Sequence, residues 1–338
     1  MGKVPLISSI LLELSKKLQI NLLIEPEYGY VGRIKTKDGK VFYYCNSRLD
    51  INRLGASEIA KDKAYASYFM NQLGYPVPEG ESFYPDRWCQ IIKSNKNISA
   101  AVKYAEKLGY PVIVKPNSGS QGRGVEKVYN KDGLLKALAF AFNEVKDNVA
   151  LVQKFIDGDD YRIVVVDDAV LCVYRRKPLS VIGNGKDTVN GLLNEKQQMF
   201  AARGRDTVIN LADPRLERRF KNTNINFDTV LAKGKVLPLL DNANLSAGGE
   251  AEDVTLLLHE DYKKMAIKLS QDMGLKFSGI DIKTLDPISE SIKQYIIIEI
   301  NSAPGLDYYA EMGNRQKRIV KKLYKKVLLY MIKGYSNL

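Results

Sequence analysis

Lys115, followed by glycines at 119, 122 and 124, is the first arrangement in the chain with an evident chemical use. The segment VIVKPNSGSQGRGVEKV, residues 112–128, reads as a strand that delivers a lysine, a flexible turn, and a second strand. Glycines let backbone N–H groups approach phosphate oxygens closely, and a lysine on the preceding strand adds a point charge for the same anion. Neither GxxxxGKS nor GxxxxGKT occurs, and the spacing GxxGxG is not the dinucleotide fingerprint. An ordinary glycine-rich hairpin would read the same way, so the loop alone leaves both readings open.

The second arrangement lies in YIIIEINSAPGL, residues 295–306. Four apolar residues lead into Glu299 and Asn301, which are two apart and therefore share one face of a strand. Two oxygen donors at the end of a buried strand make a partial shell for a hard cation such as magnesium. Asp281, in SGIDIKT, ends another apolar strand and could complete the set. Taken singly, each of these three residues reads as a solvated strand end.

Other chemistries are poorly supplied. The single histidine, His259, rules out multi-histidine metal sites and reads as a helix-start residue before the amphipathic stretch to Met273. Cys45, Cys89 and Cys172 are far apart and form no CxxC pair, which points to a reduced, cytoplasmic setting. No apolar run approaches a membrane span, and Met1 to Ile7 lacks the apolar stretch of a signal peptide. A formal charge of +12 favours anionic partners in general without choosing among them.

The elements that must position these residues follow from periodicity. At 338 residues and 45% hydrophobic content the chain can bury a sizeable core and suggests two or three domains. The opening third reads as a small α/β unit, with an apolar-periodic stretch over 8–18, a strand over 20–24, and a hairpin turning at Asp38-Gly39. A helix over 61–73 follows and is ended by Gly74, Pro76 and Pro78. Beyond a boundary near Asn95 come a helix over 100–108, strands over 112–115 and 125–129, a helix over 131–145 and a strand over 150–155. Strands over 161–166 and 169–177 flank the two-residue turn Asp167-Asp168, which predicts an antiparallel hairpin. The polar, basic stretch 203–226 reads as a mobile loop, and the helix over 315–332 as an outer helix packed through Ile319, Leu323 and Val327.

Taken in this order, the segments resemble the ATP-grasp carboxylate–amine ligases, most closely the ligase region of cyanophycin synthetases and the C-terminal region of bifunctional glutathione synthetases. The resemblance covers nearly the whole chain. It rests on IAKDKAYASYFMNQLGYPVPEG (59–80), the glycine loop, LVQKFIDGDDYRIVVV (151–166), RRKPLSVIGNGKDTV (175–189), NLSAGGEAEDVT (244–255) and the strand ending in Glu299. It implies an α/β (α+β) chain of ATP-grasp fold: an N-terminal α/β domain over 1–95, a small lid domain over 96–157, and a C-terminal antiparallel-sheet domain over 158–338.

Residue by residue, the resemblance implies that Lys63 and Lys115 contact nucleotide phosphates, with Ser118, Gly119, Ser120, Gln121, Gly122 and Gly124 closing over them. Gln153, Lys154, Phe155 and Ile156 would receive adenine, and Asp160 the ribose hydroxyls. Asp281, Glu299 and Asn301 match ligands of magnesium, with manganese as an alternative. Arg176 matches a basic residue facing the transferred phosphoryl group, and Asn244, Ser246, Gly248 and Gly249 a loop lining the acceptor site. Arg162 occupies a recurring arginine position assigned to substrate. Two departures stand out: Gln153 where a glutamate is usual, and Gly279 where the D-alanine ligase branch carries an arginine.

The implied activity is ATP-dependent joining of a carboxylate, such as an amino acid or short peptide, to an amine through an acyl-phosphate. No protein nucleophile is required, in keeping with the lack of a Ser/His or Cys/His arrangement. A homodimer is common in the family, while the lack of an apolar span points to no membrane partner and the packed outer helix over 315–332 argues against nucleic acid. Arg203, Arg205, Arg215, Arg218 and Arg219 are expected around the mouth of the site for acidic substrates, or simply as solvated surface. The rivals are an ATP-grasp small-molecule kinase and a nucleotide-binding regulatory protein.

Overall fold

The computed structural model describes residues 4–119 and 122–333. Helix α1 (Leu6–Leu18) buries Ile7, Ile10, Leu11 and Leu14, a spacing that lines one helical face. It is followed by β1 (Asn21–Ile24), β2 (Val31–Lys35), β3 (Val41–Cys45) and β4 (Arg48–Leu49), an antiparallel sheet in chain order. Gly39, at φ 86°, makes the β2–β3 turn where the sequence places it. This unit shares one core with the C-terminal sheet: Leu11, Leu14, Ile34 and Tyr44 cluster with Val164, Val166, Tyr174 and Leu323.

The helix expected over 61–73 is α3 (Lys63–Gln72), and a further helix, α2 (Leu54–Lys61), precedes it. Asp62 breaks them apart. Its backbone is extended and its carboxylate accepts from the Tyr65 N–H at 2.9 Å, an N-cap that competes with continuing the helix. Then come β5 (Gly80–Phe83), α4 (Asp86–Ile92), α5 (Ile98–Leu108), β6 (Val112–Pro116), β7 (Glu126–Val128), α6 (Lys131–Ala139), which runs on as a wider turn over Phe140–Glu144, and β8 (Ala150–Lys154). The strands form an antiparallel sheet in the order β5-β8-β6-β7. Val112, Val114 and Val152 pack beneath Ala105, Leu134 and Leu138.

The remaining chain supplies β9 (Asp159–Val166), β10 (Ala169–Lys177), β11 (Ser180–Ile182), α7 (Val189–Ala202), α8 (Pro214–Thr223), β12 (Val236–Pro238), β13 (Glu250–Asp253), α9 (Glu260–Asp272), β14 (Phe277–Thr284), β15 (Ile296–Asn301), α10 (Asp307–Glu311) and α11 (Asn314–Lys333). A five-stranded antiparallel sheet runs β13-β10-β9-β14-β15. Strand β9 is covered on both faces, which is why it is an apolar run without alternation. Val164 and Val166 join the core beneath α1 and α11, while Ile163 and Val165 join a second core with Tyr262, Ala266 and Leu269 of α9. His259 caps α9, its Nδ1 accepting from the Asp261 N–H.

The stretch 203–226 is not a loop throughout, because α8 lies inside it. Asp213 caps that helix, proline opens it, Asn224 closes it in the left-handed region, and Leu216 and Phe220, one turn apart, are buried against α7 and β12. Two apolar residues among charges make too weak a period to read, but the Asp-Pro start was a usable signal. Among the described residues no helix is long and apolar enough to cross a membrane.

Candidate functional site

A cleft of about 1920 Å3 is lined by residues of both the β5-β8-β6-β7 sheet and the five-stranded sheet, and its lining includes Lys63, Lys115, Phe155, Arg176, Asn244 and Glu299. The glycine loop hangs from β6 and is tied down at its base. Asn117, buried, accepts from the Ala64 N–H at 2.9 Å and donates to Asp62 at 2.7 Å. Lys63, at the start of α3, donates to the carbonyls of Asn117 (3.2 Å) and Gly119 (2.6 Å). Ser118 gives both its N–H and its hydroxyl to Asp147, each at 2.7 Å. Gly122, at φ 69°, sits against the 241–246 segment: a Cβ there would lie 2.8 Å from Asn242 Nδ2 and 2.9 Å from Asn244 Nδ2. Gly124, at φ 73°, packs on Pro116 and does not itself line the cleft. Ser120 and Gln121 lie outside the described residues.

Strand pairing assembles the charged floor. Asp281 on β14 stands opposite Arg162 on β9 and Glu299 on β15, and Asn301 shares the face of Glu299 two residues on. Arg162 grips Asp281 with two parallel bonds, Nε to Oδ1 and Nη2 to Oδ2, both 2.6 Å. Arg176 adds 3.0 Å to Asp281 and 2.6 Å to Asp160. Glu299 lies 3.6 Å from Arg162 and accepts from Asn301 Nδ2 at 3.0 Å. The position lacking the expected arginine, Gly279, has no room for a side chain, since a Cβ would meet Pro304 Cβ at 2.7 Å. Arg162 reaches Asp281 from the adjacent strand instead.

Burial sets the electrostatics of this floor. It lowers the Lys115 ammonium to about 8, with Lys63 adding to the effect and Glu299 opposing it. Burial also pushes at the Glu299 carboxyl, but Lys63, Arg162 and Lys115 outweigh it and hold Glu299 far below the usual carboxylate range. Burial pushes the Asp281 carboxyl upward while Arg162 and Arg176 pull against it. Lys63, Lys115, Arg162 and Arg176 face Asp160, Asp281 and Glu299, four cations against three anions. The floor therefore carries a surplus of one positive charge, suited to a polyphosphate.

The donor set fits a hard cation in part. Glu299 and Asn301 offer oxygens at the cleft wall, whereas Asp281 must yield one arginine to join them. Among the described residues no three acidic, histidine or cysteine side chains converge by themselves on one metal position. The missing ligands would then be phosphate oxygens and water, as suits magnesium.

At one end of the cleft Gln153, buried on β8, leads through Lys154 into Phe155 and Ile156. The Phe155 ring lies 3.5 Å beneath Lys127 Nζ, with Lys283 at 5.5 Å. At the other end Asn244 caps a short turn, its Oδ1 accepting from the Ser246 N–H (3.1 Å) and hydroxyl (3.0 Å). Gly248 and Gly249 are buried behind this turn and do not line the cleft; a Cβ on Gly249 would meet the carbonyls of Asn244 and Lys177 at 2.8 Å.

Four of the five arginines expected at the mouth are used internally. Arg215 pairs with Asp213, Arg218 with Glu126, and Arg219 donates to the Pro238 carbonyl. Arg205 is the most consequential: it bonds the carbonyls of Leu245 and Gly249 at both ends of the turn that Asn244 caps, between the rings of Phe200 (4.0 Å) and Tyr308 (4.9 Å). Nothing local in the sequence marks Arg205 or the Asp62–Asn117 tie, because their partners are distant in the chain.

Comparison with known proteins places these observations. Residues 69–181 match a family described as the D-ala D-ala ligase C-terminus, and 241–323 match the RimK-like ATP-grasp domain. The chain is 31% identical over 255 residues to the cyanophycin synthetase of Nostoc sp. (strain PCC 7120), covering 73% of this chain and 27% of that one. It is 30% identical over 334 residues to the glutathione biosynthesis bifunctional protein of Enterococcus faecalis, covering 93% and 42%. The chain thus spans about a quarter of the cyanophycin synthetases it matches. The structure of a bifunctional glutathione synthetase from Pasteurella multocida superposes with TM-score 0.60 at 23% identity, over 96% of this chain and 44% of that one. The D-alanine–D-alanine ligase of Bacillus anthracis gives 0.52 at 16% identity, over 83% and 70%. At these identities the structural likeness is one of fold.

Proposed function

Since the chain has the ATP-grasp fold and is a sequence relative of ATP-grasp ligases, we propose that it is an ADP-forming carboxylate–amine ligase working through an acyl-phosphate. One observation carries this reading. A glycine loop with Lys115, a carboxylate and arginine floor, and a polar acceptor turn face one another across a single cleft.

In this reading Gln153, Lys154, Phe155 and Ile156 seat the adenine, and Asp160 takes the ribose on release from Arg176. Lys63 and Lys115 neutralise the phosphates, while Ser118, Gly119 and Gly122 cover them and exclude water. Magnesium or manganese, held by Asp281, Glu299 and Asn301, would shield the negative charge of the phosphates. A substrate carboxylate, steered by Arg162, attacks the terminal phosphorus in line; the bond to ADP breaks, and Arg176 balances charge on the transferred group. An amine at the turn of Asn244 and Ser246 then attacks the acyl carbon, expels phosphate and loses a proton. Amino acids or short peptides suit both positions.

The test is a pairwise screen of amino acids and dipeptides for ATP-dependent phosphate release, with products identified by mass. Release that needs both a carboxylate and an amine, and yields their amide, supports a ligase. Release with one substrate and a stable phosphorylated product would make the chain a kinase.

A further inference from the structure

Most polar groups in the cleft are satisfied within the protein: Asn117 bonds Asp62 and Ala64, Asn244 bonds Ser246, and Asn301 bonds Glu299. Asn242 is different. Its Nδ2 and its Oδ1 are both shielded from solvent, and neither has a hydrogen-bond partner; it is the one carboxamide among the described residues in that state. A buried amide left unbonded carries an unrecovered desolvation cost, and such groups in folded proteins call for an explanation. The residue lines the cleft, and the backbone of Gly122 lies directly against it, with a Cβ there only 2.8 Å from Nδ2.

The location says which ligand would satisfy it. The glycine loop is fixed at its base by Lys63 and Asp147 but meets Asn242 near its tip. The segment carrying Asn242 runs into the acceptor turn, which leads to β13 beside Arg176 and Lys177. The part of a nucleotide that must reach this point, between loop tip and acceptor turn, is the terminal phosphoryl group, since that group is the one handed on. Resting on the ligase reading above, we propose that Asn242 is a further substrate-binding residue, its Nδ2 donating to a non-bridging oxygen of the transferred phosphoryl group. Gly122 is required opposite because any side chain would cover the amide.

The experiment compares ADP with β,γ-methylene-ATP, in the presence of magnesium, on wild-type protein, Asn242→Ala and Asn242→Asp, by calorimetric titration and thermal melting. A hydrogen bond to a charged oxygen is worth about tenfold in affinity or more. The expected result is a loss of about tenfold for the methylene analogue in Asn242→Ala, a larger loss in Asn242→Asp from charge repulsion, unchanged ADP affinity, and a melting temperature of the free protein not below wild type. Parallel losses for both nucleotides, no loss for either, or a lower melting temperature for free Asn242→Ala would overturn the assignment, the last because the amide would then be bonded within the protein. If wild-type protein binds neither nucleotide, the ligase reading itself falls and this assignment with it.

Discussion

Replacing Arg162 by methionine isolates the strongest interaction in the cleft floor. Asp281 is 2% exposed and receives two bonds of 2.6 Å from Arg162, so the substitution leaves a buried carboxylate with only Arg176, at 3.0 Å. Breaking a buried pair from one side costs about 3–5 kcal/mol, and the remaining arginine places the expected loss near the lower end, about 3 kcal/mol. Asp281→Asn should cost less, about 1–2 kcal/mol, because Arg162 keeps Glu299 at 3.6 Å as a charged neighbour. The double variant removes both charges together, so its loss should fall short of the sum of the singles by about 1–3 kcal/mol. Urea denaturation of the four proteins at neutral pH reads these values. A single Arg162→Met variant as stable as wild type, or a strictly additive cycle, would refute the reasoning that this pair is a closed, desolvated unit.

The free protein should lose nucleotide affinity in alkali, because Lys115, lowered to about 8, gives up the proton that the phosphates need. Titration from pH 8 to 9 should show a weakening of up to about tenfold, and Lys115→Met should flatten it. The same lysine, depressed below its unfolded value, opposes folding below that pH and ceases to do so as pH rises above it. Glu299→Ala should remove most of the gain in nucleotide affinity that magnesium provides, on the order of tenfold, measured as the ratio of dissociation constants with and without the metal. Arg205→Met should destabilise the protein by about 2 kcal/mol by freeing the carbonyls of Leu245 and Gly249, and Arg205→Lys should restore only part of it, since lysine lacks the Nε donor to Thr207 and the planar face held between Phe200 and Tyr308. Thermal melting separates these outcomes.

Local pattern carried much of this molecule. Strands β6, β14 and β15, the Asp167 hairpin and the helix after His259 were readable because alternation, turn chemistry and helical period act over a few residues. Helix α8 escaped because its apolar face is only Leu216 and Phe220, and α2 because Ala60 is the one residue it buries, which leaves no apolar period to read. What could not be read was everything set by register between distant strands. Arg162 and Asp281 are 119 residues apart and meet only because β9 and β14 pair in one alignment. Arg205 and Asn242 belong to the same class: their environments are made by Gly249, Tyr308 and Gly122, none of which is local to them.

Oxygen tracing is the most direct test of the chemistry proposed for this cleft. Once a carboxylate and amine pair is found, the carboxylate is labelled with 18O and the phosphate released during turnover is analysed by mass spectrometry. Attack by the carboxylate on the terminal phosphorus, followed by expulsion of phosphate from the acyl carbon, moves one labelled oxygen from substrate to phosphate at each turnover. Unlabelled phosphate released alongside the amide would contradict the account.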